Sequence, residues 1–171
     1  MNYFELFGLL CHFKLDTGSL ALKFRELQRR FHPDRFTTAS EQDRLLAVQK
    51  ASFINEAYQT LHDPVRRAEY MLSLNELDLY NEQQTMQEST FLMQQMKLRA
   101  ELNEIAESNQ VGVLLFNFEQ KTTAIYNALL LELENELRDA KWATAATLVH
   151  KLKFLVKLKQ EIERIEDRLL C

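Results

Sequence analysis

Residues 31–36 read Phe31-His32-Pro33-Asp34-Arg35-Phe36, and the fold of the first part of the chain can be worked outward from them. Pro33 biases His32 away from the helical region, so a helix arriving from the N-terminal side must stop close to Phe31. Upstream, Leu20, Phe24, Leu27 and Phe31 recur at spacings of four, three and four, the single apolar stripe of an amphipathic helix. Asp16 and Ser19 are both good N-cap residues for it, and Arg25 and Arg29 fall on the other side of the wheel. Downstream, a loop is expected through Thr37–Ser40. Ser40 is then placed to cap a second helix carrying Glu41 in its first turn, where a carboxylate suits the helix dipole. That helix is expected to run to Leu61, where His62, Asp63 and Pro64 break it, and Pro64 can open a further short helix to Leu74. The pattern is a helical hairpin with His-Pro-Asp at its tip. Taken alone, the tripeptide is equally an ordinary helix stop in which Asp34 sets a tight turn.

Composition extends the all-helical reading to the whole chain. Three glycines and two prolines stand among 171 residues, where the pair ordinarily makes up ~12%. Both prolines, with Gly8 and Gly18, lie in the first part, which predicts short helices and loops followed by long uninterrupted helices. Residues 1–75 hold 10 Lys+Arg against 9 Asp+Glu, and residues 76–171 hold 11 against 16. The boundary is expected near Asn75–Gln84, where polar residues crowd between two apolar patterns. Domains are thus expected over 1–75 and 84–171, with a short linker at 76–83 in which Leu77, Leu79 and Tyr80 hint at a packed junction.

The second part reads as three helices forming an antiparallel bundle. Residues 84–108 carry Phe91, Leu98, Leu102 and Ile105 within ~60° of arc. After a turn near Gln110–Gly112, Leu115, Phe118, Ile125, Leu129, Leu133 and Leu137 form one stripe. A connection near Arg138–Lys141 then leads to a last helix carrying Val149, Leu152 and Val156. On the same wheel as Phe91, the residues Leu92, Met93, Met96 and Ala100 all fall on the side away from the core stripe. They form a second apolar patch that the core stripe leaves unexplained. Phe154 lies roughly 160° from Leu152 and is expected on the same exposed surface. Contiguous exposed apolar patches usually mark partner sites, and Met suits adaptable contacts.

Several classes of function are excluded. The histidines, at 12, 32, 62 and 150, have no metal-ligand spacing with cysteines or carboxylates. No Gly-rich phosphate loop or nucleophile elbow exists, and the many carboxylates alternate with Lys and Arg as on solvated helix faces. No active site, cofactor or metal is expected. Cys11 and Cys171 stand far apart, which argues against cluster ligation and for a reducing compartment. A net charge of -4 argues against nucleic acid, and no stretch reaches the ~18 apolar residues of a membrane span.

Context lifts the tripeptide above a turn. Tyr3-Phe4-Glu5-Leu6-Phe7-Gly8 precedes it, and Ile54-Asn55-Glu56-Ala57-Tyr58-Gln59-Thr60-Leu61 follows, with Asp63-Pro64 and Arg67-Ala68-Glu69-Tyr70 behind. In this order, residues 1–75 resemble the J-domain family, the modules that recruit and stimulate Hsp70 chaperones. The resemblance implies a short first helix ahead of the hairpin. It also implies that His32, Pro33 and Asp34, with Arg25, Arg29, Arg30 and Arg35, contact the Hsp70 ATPase domain and linker.

Neither a Gly/Phe-rich linker nor CxxC repeats follow. The whole chain is instead similar to the HscB family of J-domain co-chaperones in iron–sulfur cluster assembly. The similarity rests on Asn2-Tyr3-Phe4-Glu5-Leu6-Phe7-Gly8-Leu9, Arg67-Ala68-Glu69-Tyr70-Met71-Leu72-Ser73-Leu74, Phe91-Leu92-Met93 and Lys151-Leu152-Lys153-Phe154-Leu155. It implies an L-shaped pair of domains, an HscA-type Hsp70 partner and an IscU-type scaffold client. The scaffold surface it implies comprises Leu92, Met93, Met96, Ala100, Glu104 and Phe154. Lys97 and Ala100 stand where the family would place carboxylates, with Glu101 adjacent. A bacterial-type cytoplasmic protein is expected, because the chain opens directly on the J-domain motif. Two rivals stay open: a J-domain co-chaperone for another client, and a helical adaptor whose His-Pro-Asp is only a turn.

Overall fold

The computed structural model describes residues 1–75 and 89–170, and all of its regular elements are helical. The linker expected at 76–83, with Leu77, Leu79 and Tyr80, and Cys171 lie outside the described residues. The chain divides into two compact units, Met1–Met71 and Leu72–Cys171.

In the first unit, α1 (Tyr3–Leu6) is a single turn held by a reciprocal cap. The Glu5 N–H donates to Asn2 Oδ1 at 2.8 Å, and the Asn2 N–H donates to Glu5 Oε2 at 3.1 Å, so two otherwise orphaned donors are satisfied. Gly8 closes it at φ 63°, a conformation that costs a side-chain-bearing residue ~1 kcal/mol or more. Helix α2 (Thr17–Arg30) is capped by Asp16, whose carboxylate accepts from the Gly18 and Ser19 N–H groups. Helix α3 (Glu41–His62) is capped by Ser40, whose Oγ accepts from the Asp43 N–H. Helix α4 (Pro64–Leu74) begins at Pro64, where the missing N–H is no loss. Helices α2 and α3 pack as an antiparallel hairpin, with Phe24 stacked on Tyr58 at 4.0 Å. Leu20, Ile54, Ala57 and Leu61 are fully buried beside Phe4.

Arg67 locks the base of this unit. It is buried, and its guanidinium donates to the Leu61 and Phe13 carbonyls at 2.7 Å each and to the His62 carbonyl at 3.4 Å. It also lies 5.4 Å from the Phe13 ring centroid. Burial lowers its pKa, opposed by the nearby Asp63 carboxylate. One side chain therefore ties the loop after α1 to the corner between α3 and α4. Tyr70 adds a second tie, since its hydroxyl accepts from the Tyr3 N–H at 2.9 Å and its ring stacks on Tyr3.

The second unit holds α5 (Ser89–Ala106), α6 (Val111–Arg138) and α7 (Trp142–Leu170). Helices α6 and α7 run together, joined by a turn in which Ala140 takes φ 57°, and α5 packs on both. The core gathers Phe91, Leu98, Leu102, Ile105, Leu115, Phe118, Leu155, Leu158 and Ile162. Two ion pairs staple α5 to its neighbours, Arg99–Glu161 of α7 at 2.8 Å and Glu101–Lys121 of α6 at 2.9 Å.

Truncating Arg67 removes the donor from a buried carbonyl at Leu61 and a part-buried one at Phe13, and a buried acceptor left without a donor costs ~1–3 kcal/mol. Urea unfolding of Arg67→Ala is expected to show a loss of about 3 kcal/mol or more, with Arg67→Lys intermediate. A loss below about 1 kcal/mol would show that the clamp is dispensable.

Candidate partner-docking surfaces

At the hairpin tip two backbone N–H groups are held within the turn, and the His32 and Asp34 side chains are exposed. His32 takes an extended conformation, φ −63° and ψ 135°, and the tight turn expected at Asp34 is a short 3-10 turn over Pro33–Phe36. The Arg35 N–H donates to the His32 carbonyl at 3.0 Å, and the Asp34 N–H donates to His32 Nδ1 at 3.2 Å. An Nδ1 that accepts puts the proton of a neutral imidazole on Nε2. The Asp34 Oδ2 atom lies 3.5 Å from the same nitrogen, but the backbone N–H is the nearer partner. The tip thus offers a ring N–H donor and an exposed carboxylate acceptor side by side, on a turn that packs against α3.

Arg25, Arg29, Arg30 and Arg35 are all exposed, and among the described residues none of them makes an ion pair. Arg25 and Arg29 share the outward arc of α2, whereas Arg30 lies ~100° further round. Arg29, His32, Asp34 and Arg35 line one shallow depression together with Gln28. Sequence reasoning does not single out Gln28; the available signal is its position four residues before His32, one helical turn away. The Lys50 Nζ atom sits 5.0 Å from the Phe31 ring centroid, which ties α3 to the end of α2 just before the tip.

The second surface is the outward arc of α5. Met93 and Met96 are 70% and 71% exposed, and Leu92, Lys97, Ala100 and Glu104 are exposed beside them. The staples to α6 and α7 on either flank orient this arc away from the core. Glu101 is committed to Lys121, so it does not stand in for a carboxylate at Ala100.

Phe154 departs from expectation. It is 8% exposed and belongs to the core, meeting Phe91 edge-on at 6.2 Å. The Arg99 guanidinium covers its ring at 5.3 Å. An angle measured from Leu152 misleads because α7 is packed by two helices, so its buried arc is wider than one stripe. Phe154 therefore supports the α5 surface from beneath.

Comparison with known proteins gives the same two-part division. A family model described as the DnaJ domain matches residues 2–70, and one described as the HSCB C-terminal oligomerisation domain matches residues 87–163. The chain is 55% identical over 170 residues to the co-chaperone protein HscB homolog of Vibrio parahaemolyticus serotype O3:K6, covering 99% of each. The chain belongs to the HscB family. The HscB homolog of Photobacterium profundum is 55% identical over 167 residues, covering 98% of each chain. The solved chaperone HscB from Vibrio cholerae superposes with a TM-score of 0.90 at 50% identity, covering 99% of both chains. Human co-chaperone protein HscB shares the fold with a TM-score of 0.90 at 23% identity, over 97% of this chain and 82% of that one. HscB proteins are non-enzymatic J-domain co-chaperones of iron–sulfur cluster assembly, and the J domain implies an Hsp70 partner. No described helix is long and apolar enough to cross a membrane.

The burial of Phe154 separates two kinds of variant. Phe154→Ala is expected to lose about 3–5 kcal/mol of stability as a core truncation, whereas Met96→Ala should stay within about 0.5 kcal/mol of the parent. Chemical denaturation of the pair checks this, and equal losses would contradict the placement of both side chains.

Proposed function

We propose that this protein binds an IscU-type scaffold on the α5 face and presents it to an HscA-type Hsp70 held by the hairpin tip, in the cytoplasm of a bacterium. Residues 1–75 act as the Hsp70-stimulating domain and residues 84–171 as the scaffold-binding domain. The observation that carries the reading is the tip itself. There, Arg29 and Arg35 share one depression with His32 and Asp34, Arg25 and Arg30 stand exposed further along α2, and none of the four arginines makes an ion pair among the described residues. Clustered like charges with no internal counter-charge suit an acidic partner surface, speed its encounter and set the register of docking.

Stimulation then follows from differential binding. The Hsp70 shifts toward its hydrolysis-competent state only to the extent that the tip binds that state more tightly than the resting one. The His32 Nε2–H and the Asp34 carboxylate are the groups suited to that discrimination, because the turn already satisfies the backbone between them. Arg25 and Arg29 steer and align; Pro33 keeps the turn rigid enough for both polar groups to bind at once. On the α5 face, Leu92, Met93 and Met96 supply apolar contact area, with Ala100 permitting close approach and Glu104 adding a charge at one end. Phe154 backs this surface from the core.

The test is steady-state ATPase of the cognate HscA-type Hsp70, with this protein and the IscU-type scaffold added singly and together. Stimulation by the pair should exceed that by either alone. His32→Gln should lower it about tenfold or more, equivalent to ~1.4 kcal/mol of lost discrimination, with the helical signal unchanged. Leu92→Ala/Met96→Ala should remove the added effect of the scaffold and leave the J-domain effect intact. Unchanged stimulation by His32→Gln would sink the assignment of the tip; synergy retained in the α5 variant would sink that of the client face.

A further inference from the structure

The second part of the chain is acidic as a whole, with 11 Lys+Arg against 16 Asp+Glu over residues 76–171, yet one edge of it is cationic. On α7, between residues 150 and 168, the positions within ~60° of the direction opposite the core are Lys153, Val156, Lys157, Gln160, Arg164 and Asp167. Three successive charges on that arc are positive, and its first carboxylate comes at Asp167, near the end of the helix. Lys157 and Arg164 are exposed and make no ion pair among the described residues. Lys153 and Lys157 stand four apart, a like-charge spacing that by itself weakens a helix. Glu161 lies one turn from both Lys157 and Arg164, but it is committed to Arg99 of α5 at 2.8 Å.

This edge borders the α5 face. Phe91 meets Phe154 and Arg99 meets Glu161, so α5 and α7 run in the same direction at an offset of 62–63 residues. That offset sets Lys157 level with Gln94–Gln95, between Leu92 and Met96, and Arg164 level with Glu101–Leu102. Arg99 marks the flank of α5 that turns to α7, and Leu92, Asn103 and Met96 follow it round toward solvent within ~60°. The exposed apolar strip of α5 is therefore rimmed along α7 by an ammonium and a guanidinium group. On its other flank Lys97 is exposed and makes no ion pair among the described residues. Glu104 supplies the one carboxylate on the outward arc of α5.

We infer that the cationic edge of α7 is the second half of the client surface, and that the client docks with carboxylates set beside an apolar centre. The inference rests on the assignment of the α5 face to a scaffold client. Charge complementarity carries it, because Lys157 and Arg164 border an exposed apolar strip and hold no counter-charge among the described residues. An acidic protein surface fits this edge and a nucleic acid does not. Three cations spread over ~17 Å of helix, on a chain of net charge -4, are too sparse for a phosphate backbone with a charge every few ångströms. Rim cations of this kind act chiefly on the rate of encounter and on register, while the apolar strip acts on dissociation.

Stopped-flow association of the full chain with the IscU-type scaffold, from about 50 to about 300 mM salt, tests the edge. The wild-type association rate is expected to fall as salt rises. Lys157→Glu/Arg164→Glu should slow association about tenfold at low salt and flatten its salt dependence, with the helical signal unchanged. Arg138→Glu/Lys141→Glu, a matched charge change at the turn between α6 and α7, should do neither. Leu92→Ala/Met96→Ala should instead speed dissociation and keep the salt dependence of association. Carbodiimide coupling of the complex, followed by peptide mapping, should join the Lys157 amine to a scaffold Asp or Glu. A wild type that does not bind the scaffold would overturn the client assignment and this edge together. Binding left unchanged by the α7 reversal would overturn the edge alone. Coupling that joins only carboxylates of this chain to scaffold lysines would overturn it by the opposite sign of contact. Tighter binding of a short single-stranded oligonucleotide than of the scaffold would give the edge to a nucleic acid and overturn it equally.

Discussion

Pro33 denies the backbone a helical residue at position 32, and the first unit is arranged around that denial. The chain must leave α2 in an extended step, and the turn that follows reverses it so that α3 packs back on α2. Phe24 then stacks on Tyr58 and Leu20 is sealed against the base. The same reversal explains why the tip is chemically available. The Arg35 N–H is taken by the His32 carbonyl and the Asp34 N–H by the imidazole. The remaining ring N–H and the carboxylate therefore face outward with no backbone duty. At the other end, Arg67 does the opposite job. It commits every described hydrogen bond to internal carbonyls and so keeps the base rigid while the tip stays open.

Among the described Lys and Arg ion pairs, one lies in the first unit, Arg66–Glu56 between α4 and α3, and none involves the arginines of α2 or the tip. In the second unit, Arg99, Lys121 and Arg138 each hold a carboxylate, two of them across helices. Such exposed pairs add little stability, typically under ~1 kcal/mol each, but they fix which arcs of α5 and α6 face solvent. On α2 and the tip, the arginines hold no carboxylate among the described residues. The contrast is informative because Glu26 and Glu41 stand nearby in sequence. A set of guanidiniums left without internal partners remains available to an external one, and no helix of the first unit is stapled by them.

Local signals are readable wherever a single residue controls a single backbone group. Asp16, Ser40 and Pro64 set helix starts, and Pro33 sets a stop, because a cap or a ring acts on its own segment. The α5 stripe is readable for the same reason, since Leu98, Leu102 and Ile105 repeat on one arc. What sequence does not disclose depends on contacts between segments far apart in the chain. Nothing in the local sequence marks Arg67 as buried, because one of its acceptors, the Phe13 carbonyl, comes from 54 residues away. Phe154 reads as exposed when α7 is assigned one buried stripe, and it is buried because α5 and α6 grip different sides of that helix. The positions of His32, Asp34, Met93 and Met96 follow from one helix or one turn each, and they lie on the surface as their local patterns indicate.

The arithmetic of linked sites explains why weak individual contacts suffice. On the reading proposed here, the tip would touch an Hsp70 through a few charges and the α5 face would hold a client through two methionines and a leucine, each binding modestly. When both sit on one chain, the second engagement becomes intramolecular, with an effective concentration commonly in the millimolar range for short connections. Neither surface then needs the large apolar area that would make it sticky when empty, and exposed Met93 and Met96 are tolerable on a protein with a net charge of -4.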